Sequence, residues 1–223
     1  TDFIYHGWEI DETDTSFTIT YAFEIVGLQS FHPTFTLPKP HNHSPYMQAR
    51  IFHEAVFSLG MVELISYWKI TGAPRVHIAC GHLDETQKAW WKKLYFHGLG
   101  EYFHINHIPL DPQGFMEIIS EGIPQTGTDW FPEVKGNLIP VGGGKDSFVT
   151  LDVLSPYKKD NLAFIINPVI SAVNSAHAAG YEEGKDLLIA QRTLDPSMLE
   201  LNRQGYLNGH TPFSAMVAFA TYL

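Results

Sequence analysis

The 223 residues are 44% hydrophobic, enough for one sizeable core or two small ones, and 14 basic against 24 acidic residues give a net charge of −10. That balance disfavours nucleic acid as a partner, because nucleic acid selects a basic face. No apolar run approaches the ~20 residues of a membrane span, and the opening TDFIYHGWEID lacks the basic and apolar regions of a signal peptide, so no membrane partner is expected.

Residues 1 to about 40 read as strands. In SFTITYAFEI, Phe17, Ile19, Tyr21, Phe23 and Ile25 alternate with Thr18, Thr20, Ala22 and Glu24, the pattern of a half-buried strand. The DETD before it is a turn, and FHPTFTLPKPHNHSP reads as a proline-rich loop or edge strand. His41 and His43 stand two apart there, but with flanking prolines and no third ligand nearby they do not make a metal site. From Gln48 to Trp68 the period changes, and Ile51, Phe52, Ala55, Val56, Leu59, Val62, Ile65 and Trp68 form a wide helical stripe ended by Gly72 and Pro74. RVHIAC is a short strand. It ends on Cys80, the only cysteine, which rules out an internal disulfide and fits a reducing, cytoplasmic setting. Asp84 and Gln87 then form a capping box for a helix through ETQKAWWKKLYFHG, whose Trp90, Trp91, Leu94 and Tyr95 read as core and interface residues.

Residues 108–136 are rich in proline and glycine and are the best linker candidate, dividing a unit at 1–125 from one at 136–223. The second unit alternates strand and helix: NLIPV, KDSFVTLDVL, LAFIIN, VISAVNSAHAAG, DLLIAQ, then DPSMLELNRQG with Asp195 as N-cap and Pro196 at the first helical position. Apolar strands separated by helices predict a parallel sheet covered on both faces. Pro140 falls at the last turn of its strand, where a missing ladder donor matters least. HTPFSAMVAFATYL reads as an apolar helix without a terminal cap, and more protein is expected beyond it.

The stretch VGGGKDSFVTLDVL carries the chemistry. Ile139 stands where a Walker A loop needs its first glycine, and Asp146 follows Lys145, so that motif fails twice. A GxGxxG turn fails at its third glycine. What remains is a short cradle. Gly142, Gly143 and Gly144 let backbone N–H groups approach an anion, Lys145 neutralises charge, and Ser147 offers a hydroxyl at a helix N-terminus. A carboxylate beside a phosphate site is repulsive unless a cation lies between, so Asp146 points to Mg²⁺. The plainer reading is a glycine-rich turn capped by Asp146.

GGGKDS resembles the SGGxDS signature of the N-type ATP pyrophosphatases, with Gly142 at the serine position. Beyond it, IPVGGGKDS, AQRTLDPSMLELNRQGYLNGHTPFSA, FHEAVFSLGMVELISYWKITGAP and WWKKLYFHGLGEYF together resemble the UDP-N-acetylmuramoyl-L-alanyl-L-glutamate epimerase family, over most of the chain. The resemblance implies an α/β protein: an N-terminal α+β substrate-recognition domain (1–125) and the first part of an ATP-binding, parallel-sheet, adenine-nucleotide alpha-hydrolase-like (PP-loop) domain (136–223), incomplete at its C-terminus. It implies ATP and Mg²⁺ as cofactors and a UDP-MurNAc-dipeptide as substrate, in peptidoglycan precursor synthesis.

Inverting a glutamyl α-carbon beside a free carboxylate would put two negative charges on one group. Adenylating the carboxylate removes that obstacle. A pyridoxal cofactor needs a free amine, which a peptide bond removes, and a two-thiol racemase needs a second cysteine. The candidate catalytic residues are His210, as base in the turn LNGHTP, with Lys145 and Arg192, the latter at a strand end where parallel sheets gather ligands. Asn167, also at a strand end, is a candidate for the adenine site together with Gly142, Gly143, Gly144, Lys145, Asp146 and Ser147. Each has an alternative: His210 as a turn-orienting residue, Arg192 in a surface ion pair, Asp195 as a helix cap. An acyl-adenylate amide ligase and a non-catalytic ATP-binding module remain rival functions.

Overall fold

A computed structural model describes residues 1–39, 44–131 and 133–223; His41 and His43 lie outside the described residues. The chain begins with β1 (Asp2–Glu12) and β2 (Ser16–Ile25), joined by a turn in which the Thr13 hydroxyl accepts the Ser16 N–H at 3.0 Å. Strict alternation in β2 puts Phe17, Ile19, Tyr21, Phe23 and Ile25 in the core at 1% exposure or less. β3 (Gln29–Phe31) pairs with β2, and β4 (Thr34–Pro38) follows. The expectation of a loop or edge strand at β4 is corrected: β4 pairs with β2 on one side and with a C-terminal strand on the other. Its prolines explain why this is possible. Pro33 precedes the strand and Pro38 ends it, so the intervening N–H groups stay free for both ladders.

Next come α1 (Ser44–Met47), α2 (Arg50–Trp68), β5 (Arg75–Ile78), α3 (Glu85–Gly98), α4 (Gly100–Ile105) and β6 (Glu117–Ser120). α2 is buried nearly all round, with sheet on one side and helices on the other. The capping box forms as read: Asp84 accepts from Gln87 N at 2.8 Å and Gln87 accepts from Asp84 N at 2.9 Å. Trp91 and Tyr95 enter the core while Trp90 stays half exposed. The linker reading of 108–136 is corrected in part, because β6 lies inside it, parallel to β5. A strand of four residues is too short to show a period among glycines and prolines.

The remainder is β7 (Asn137–Pro140), α5 (Lys145–Val153), a 3-10 turn (Ser155–Asp160), β8 (Asn161–Ile166), α6 (Ile170–Ala178), β9 (Leu187–Thr193), α7 (Pro196–Arg203) and α8 (Phe213–Ala220). β7, β8 and β9 are parallel, with β7 outermost, so Pro140 needs no second ladder. Among the described residues nine strands form one mixed sheet, β6-β5-β1-β2-β4-β9-β8-β7, with β3 on β2. The α/β class holds.

The sheet and the main core cross the expected division between 1–125 and 136–223. β4 and β9 pair antiparallel, and Phe164, Ala190, Met198, Leu201, Met216 and Ala220 join the core built by α2 and the N-terminal strands. A second cluster, including Ile139, Ile165, Leu151 and Ala176, lies between the β7–β9 sheet and α5 and α6. No helix among the described residues is long and apolar enough to cross a membrane.

Gly60 lets α2 pack closely on the sheet. A Cβ there would lie 2.7 Å from the Tyr21 ring and closer still to the Tyr5 hydroxyl. In an open helix, Gly to Ala stabilises by ~1 kcal/mol. Here overpacking reverses the sign, and Gly60→Ala is expected to destabilise by about 1–3 kcal/mol in urea unfolding.

Candidate functional site

The glycine turn joins the outer strand β7 to α5. Gly144 is the N-cap residue of α5 and offers no side-chain cap, so the first-turn N–H groups stay open. The Ser147 hydroxyl accepts the Gly142 N–H at 3.0 Å and closes the turn. Gly143 has φ +80°, and a Cβ there would come 2.5 Å from Ala172 N and from Ser171 Oγ. The turn therefore sits against the first turn of α6, which also lacks a side-chain cap. A Cβ on Gly144 would meet nothing within 4 Å. One glycine is thus required by close packing and a left-handed backbone, while another faces open space. Two uncapped helix starts meet there, and their positive dipole ends favour an anion. Lys145 and Asp146 are exposed at the same place.

Asn167 directly follows β8, with φ +51°. Its amide accepts from Arg192 N at 2.6 Å and donates to Arg192 O at 2.9 Å, extending the β8–β9 ladder by one side chain. One donor and one lone pair of the amide are used in this way, while the residue itself stays exposed.

Arg192 is neither a free anion receptor nor a surface ion pair. Its Nε and Nη2 donate to the Glu63 carboxylate at 2.9 and 3.0 Å, and Nη2 also reaches Ser66 Oγ at 2.8 Å. The Glu63 side chain is 0% and that of Arg192 12% exposed. Burial pushes the Glu63 carboxyl up, and the guanidinium opposes it. Lys69, 7% exposed, donates to Gly209 O and lies within the field of this pair. Burial first, then the Arg192 charge, lowers its pKa to about 8, with Glu63 opposing. The helical stripe left out Glu63, Ser66 and Lys69. The one available signal was a glutamate inside the apolar run MVELIS.

His210 sits on the turn between α7 and α8, highly exposed, with Nδ1 against the Glu101 carboxylate of α4. The structure thus brings Gly142, Gly143, Gly144, Lys145, Asp146 and Ser147 together. It sets Asn167 and Arg192 at neighbouring strand ends and gives His210 a partner on α4. Asp195 caps α7 by accepting from Ser197 N at 2.9 Å, and it also holds His32 N at 2.7 Å.

Removing one partner of the buried pair leaves the other charge unpaired. Arg192→Ala is expected to destabilise the fold by ~3–5 kcal/mol in denaturant unfolding. Lys69 makes a pH-dependent contribution of the opposite kind. Between its folded value of about 8 and the ordinary 10.5, the unfolded chain binds more protons, so stability rises with pH in that window. Wild type is therefore expected to gain stability relative to Lys69→Met between pH 8 and about 10, in paired denaturation curves.

The family model for the MurL N-terminal domain matches residues 1–223. A Salinispora tropica protein named UDP-N-acetyl-alpha-D-muramoyl-L-alanyl-L-glutamate epimerase is 34% identical over 201 residues, 87% of this chain and 42% of that protein. A Micromonospora protein of the same name is 33% identical over 204 residues, 87% of this chain and 43% of its own length. A third, from Xanthomonas oryzae pv. oryzae, is 28% identical over 171 residues, 75% of this chain and 36% of its own. The chain spans less than half the length of these relatives. No solved structure matches it. With the match running from the first residue to the last, the chain belongs to the MurL N-terminal domain family.

Proposed function

We propose that this chain forms part of an ATP- and Mg²⁺-dependent epimerase that converts the terminal L-glutamate of UDP-MurNAc-L-Ala-L-Glu to D-glutamate. The observation that carries this reading is the uncapped glycine turn, with Lys145 and Asp146 beside it, in a chain whose relatives bear that enzyme's name.

The turn fits a polyphosphate. The open space at Gly144 and the free N–H groups of α5 suit phosphate oxygens, and Lys145 adds a positive charge. The described residues contain no group of three or more His, Cys, Asp or Glu able to hold a metal. One carboxylate plus phosphate oxygens is the way Mg²⁺ is commonly held, and Asp146 is the proposed carboxylate. Ser147 uses a lone pair on Gly142 N–H, which leaves its own proton for a phosphate oxygen. When bound, ATP would supply the adenylyl group that masks the glutamyl carboxylate charge and makes the α-proton acidic. His210 is the proposed base for that proton, with Glu101 orienting its ring. Arg192, held by Glu63, keeps the ends of β8 and β9 in register through Asn167.

Asp146→Asn separates this reading from a glycine-rich turn without chemistry. In the complete polypeptide, with substrate and ATP, the variant is expected to lose about 10²-fold or more in turnover while retaining its circular dichroism. Wild type should release AMP and pyrophosphate in ³¹P spectra and incorporate solvent deuterium at the glutamyl α-carbon. Release of ADP and phosphate would exclude adenylation. Consumption of an amine donor would place the chain among amide ligases instead.

A further inference from the structure

The turn that carries His210 is pinned at each of the three residues before it. Leu207 N donates to Ile70 O at 3.2 Å, and Asn106 Nδ2 donates to Asn208 O at 2.8 Å. Gly209 packs on α4 so closely that a Cβ would lie 2.8 Å from Tyr102 Cα, and its carbonyl accepts from Lys69 Nζ. The His210 side chain is nonetheless 84% exposed. A fixed backbone under an open imidazole is the arrangement of a binding loop held on a rigid scaffold.

A lysine is an unfavourable choice for a clamp of this kind. Lys69 is buried, its hydrogen-bond acceptor is the neutral Gly209 carbonyl, and the Glu63 carboxylate that acts on it is taken by Arg192. A neutral donor would hold Gly209 O without burying a charge. The charge has a use on the far side of the peptide. A trans peptide directs its N–H opposite to its C=O. With the Gly209 carbonyl turned inward to Lys69, the His210 N–H is turned outward, and it forms no hydrogen bond among the described residues. An ammonium on the carbonyl side polarises the peptide unit and strengthens its N–H as a donor.

We propose that Lys69 is a positioning residue for a second group at the proposed base: the N–H of His210, held outward to donate to the acyl oxygen of the activated glutamyl residue. The inference rests on the functional reading above. As the imidazole takes the α-proton, the C–H electron pair moves into the C–C bond and negative charge gathers on that oxygen. The oxygen is two bonds from the α-carbon, within reach of the same residue. A backbone N–H aimed where charge develops favours the step. Return of a proton to the opposite face reverses the shift, so nothing is oxidised or consumed.

The charge on Lys69 also gives the proposal a pH signature. Burial first, then the Arg192 charge from β9, bring its pKa to about 8, while Glu63 on its own helix opposes them; the His210–Glu101 pair lies beyond the Gly209 peptide. The charge is present below that value and lost above it. Fold stability moves the other way, rising over the same window. A merely structural lysine would follow stability.

In the complete polypeptide labelled with ¹⁵N-histidine, the His210 amide shift is expected to titrate near pH 8 in wild type and not in Lys69→Gln, which keeps a donor without the charge. Turnover of the UDP-muramoyl dipeptide is measured alongside. Wild-type kcat is expected to fall above about pH 8, and Lys69→Arg, charged throughout, should lose that limb. Lys69→Gln should lower kcat about tenfold or more at nearly unchanged KM, with deuterium uptake reduced relative to AMP release. The two wild-type pH series decide the matter even where a variant fails to fold. Turnover in wild type with a His210 amide that does not titrate near pH 8, or with a kcat that does not fall there, would overturn the proposal and leave the epimerase reading standing. A folded Lys69→Gln with wild-type kcat would do the same. Absence of turnover in wild type would sink both readings together.

Discussion

A fully buried carboxylate in the middle of α2 is the constraint on which the rest of the structure depends. Glu63 has no exposure, and an isolated charge there would be strongly unfavourable. Arg192 neutralises it through a bidentate contact across 129 positions of sequence. That requirement brings the end of β9 onto α2. β9 then lies where β4 can pair with it, and the N-terminal and C-terminal strands become one sheet. The pair need not add net stability over an apolar substitute. What it specifies is position, because a misplaced β9 would leave both charges unpaired.

The same link reaches both candidate catalytic regions. From Arg192 the backbone contacts of Asn167 hold the end of β8, and β8 lies beside β7, whose end carries the glycine turn. In the other direction, Lys69 follows α2 and donates to Gly209, next to His210. A hydrogen-bonded network centred on the buried Glu63–Arg192 pair therefore lies between the proposed nucleotide cradle and the proposed base. Lys145, Asp146 and His210 themselves are exposed, as side chains of binding surfaces are.

The sheet also explains how an acidic chain is compatible with the proposed anion site. Net charge is −10, yet the cradle relies on the uncapped starts of α5 and α6 and one lysine. These are local dipoles at the turn itself, and distant surface carboxylates are screened over about 8–10 Å in physiological salt. Arg50 shows the converse: a basic side chain whose single charge is outweighed by the carboxylates of Glu54 and Asp129.

Local features were legible in the sequence. The alternation in β2, the breadth of the α2 stripe, the Asp84–Gln87 capping box, the Asp195 cap and the strand–helix alternation after residue 136 each arise from interactions within about ten residues. The glycine turn was legible for the same reason, since its glycines, lysine, aspartate and serine are contiguous. Tertiary structure alone decided the rest. β4 became internal because a strand from the far end of the chain paired with it, and β6 emerged from a linker-like stretch because β5 offered it a ladder. Arg192 was taken by Glu63, and the amide of Asn167 by the backbone of Arg192. A polar side chain looks the same in sequence whether it faces ligand or a buried partner. Its role is set by what the fold places within about 3 Å of it, and that partner can lie more than a hundred residues away.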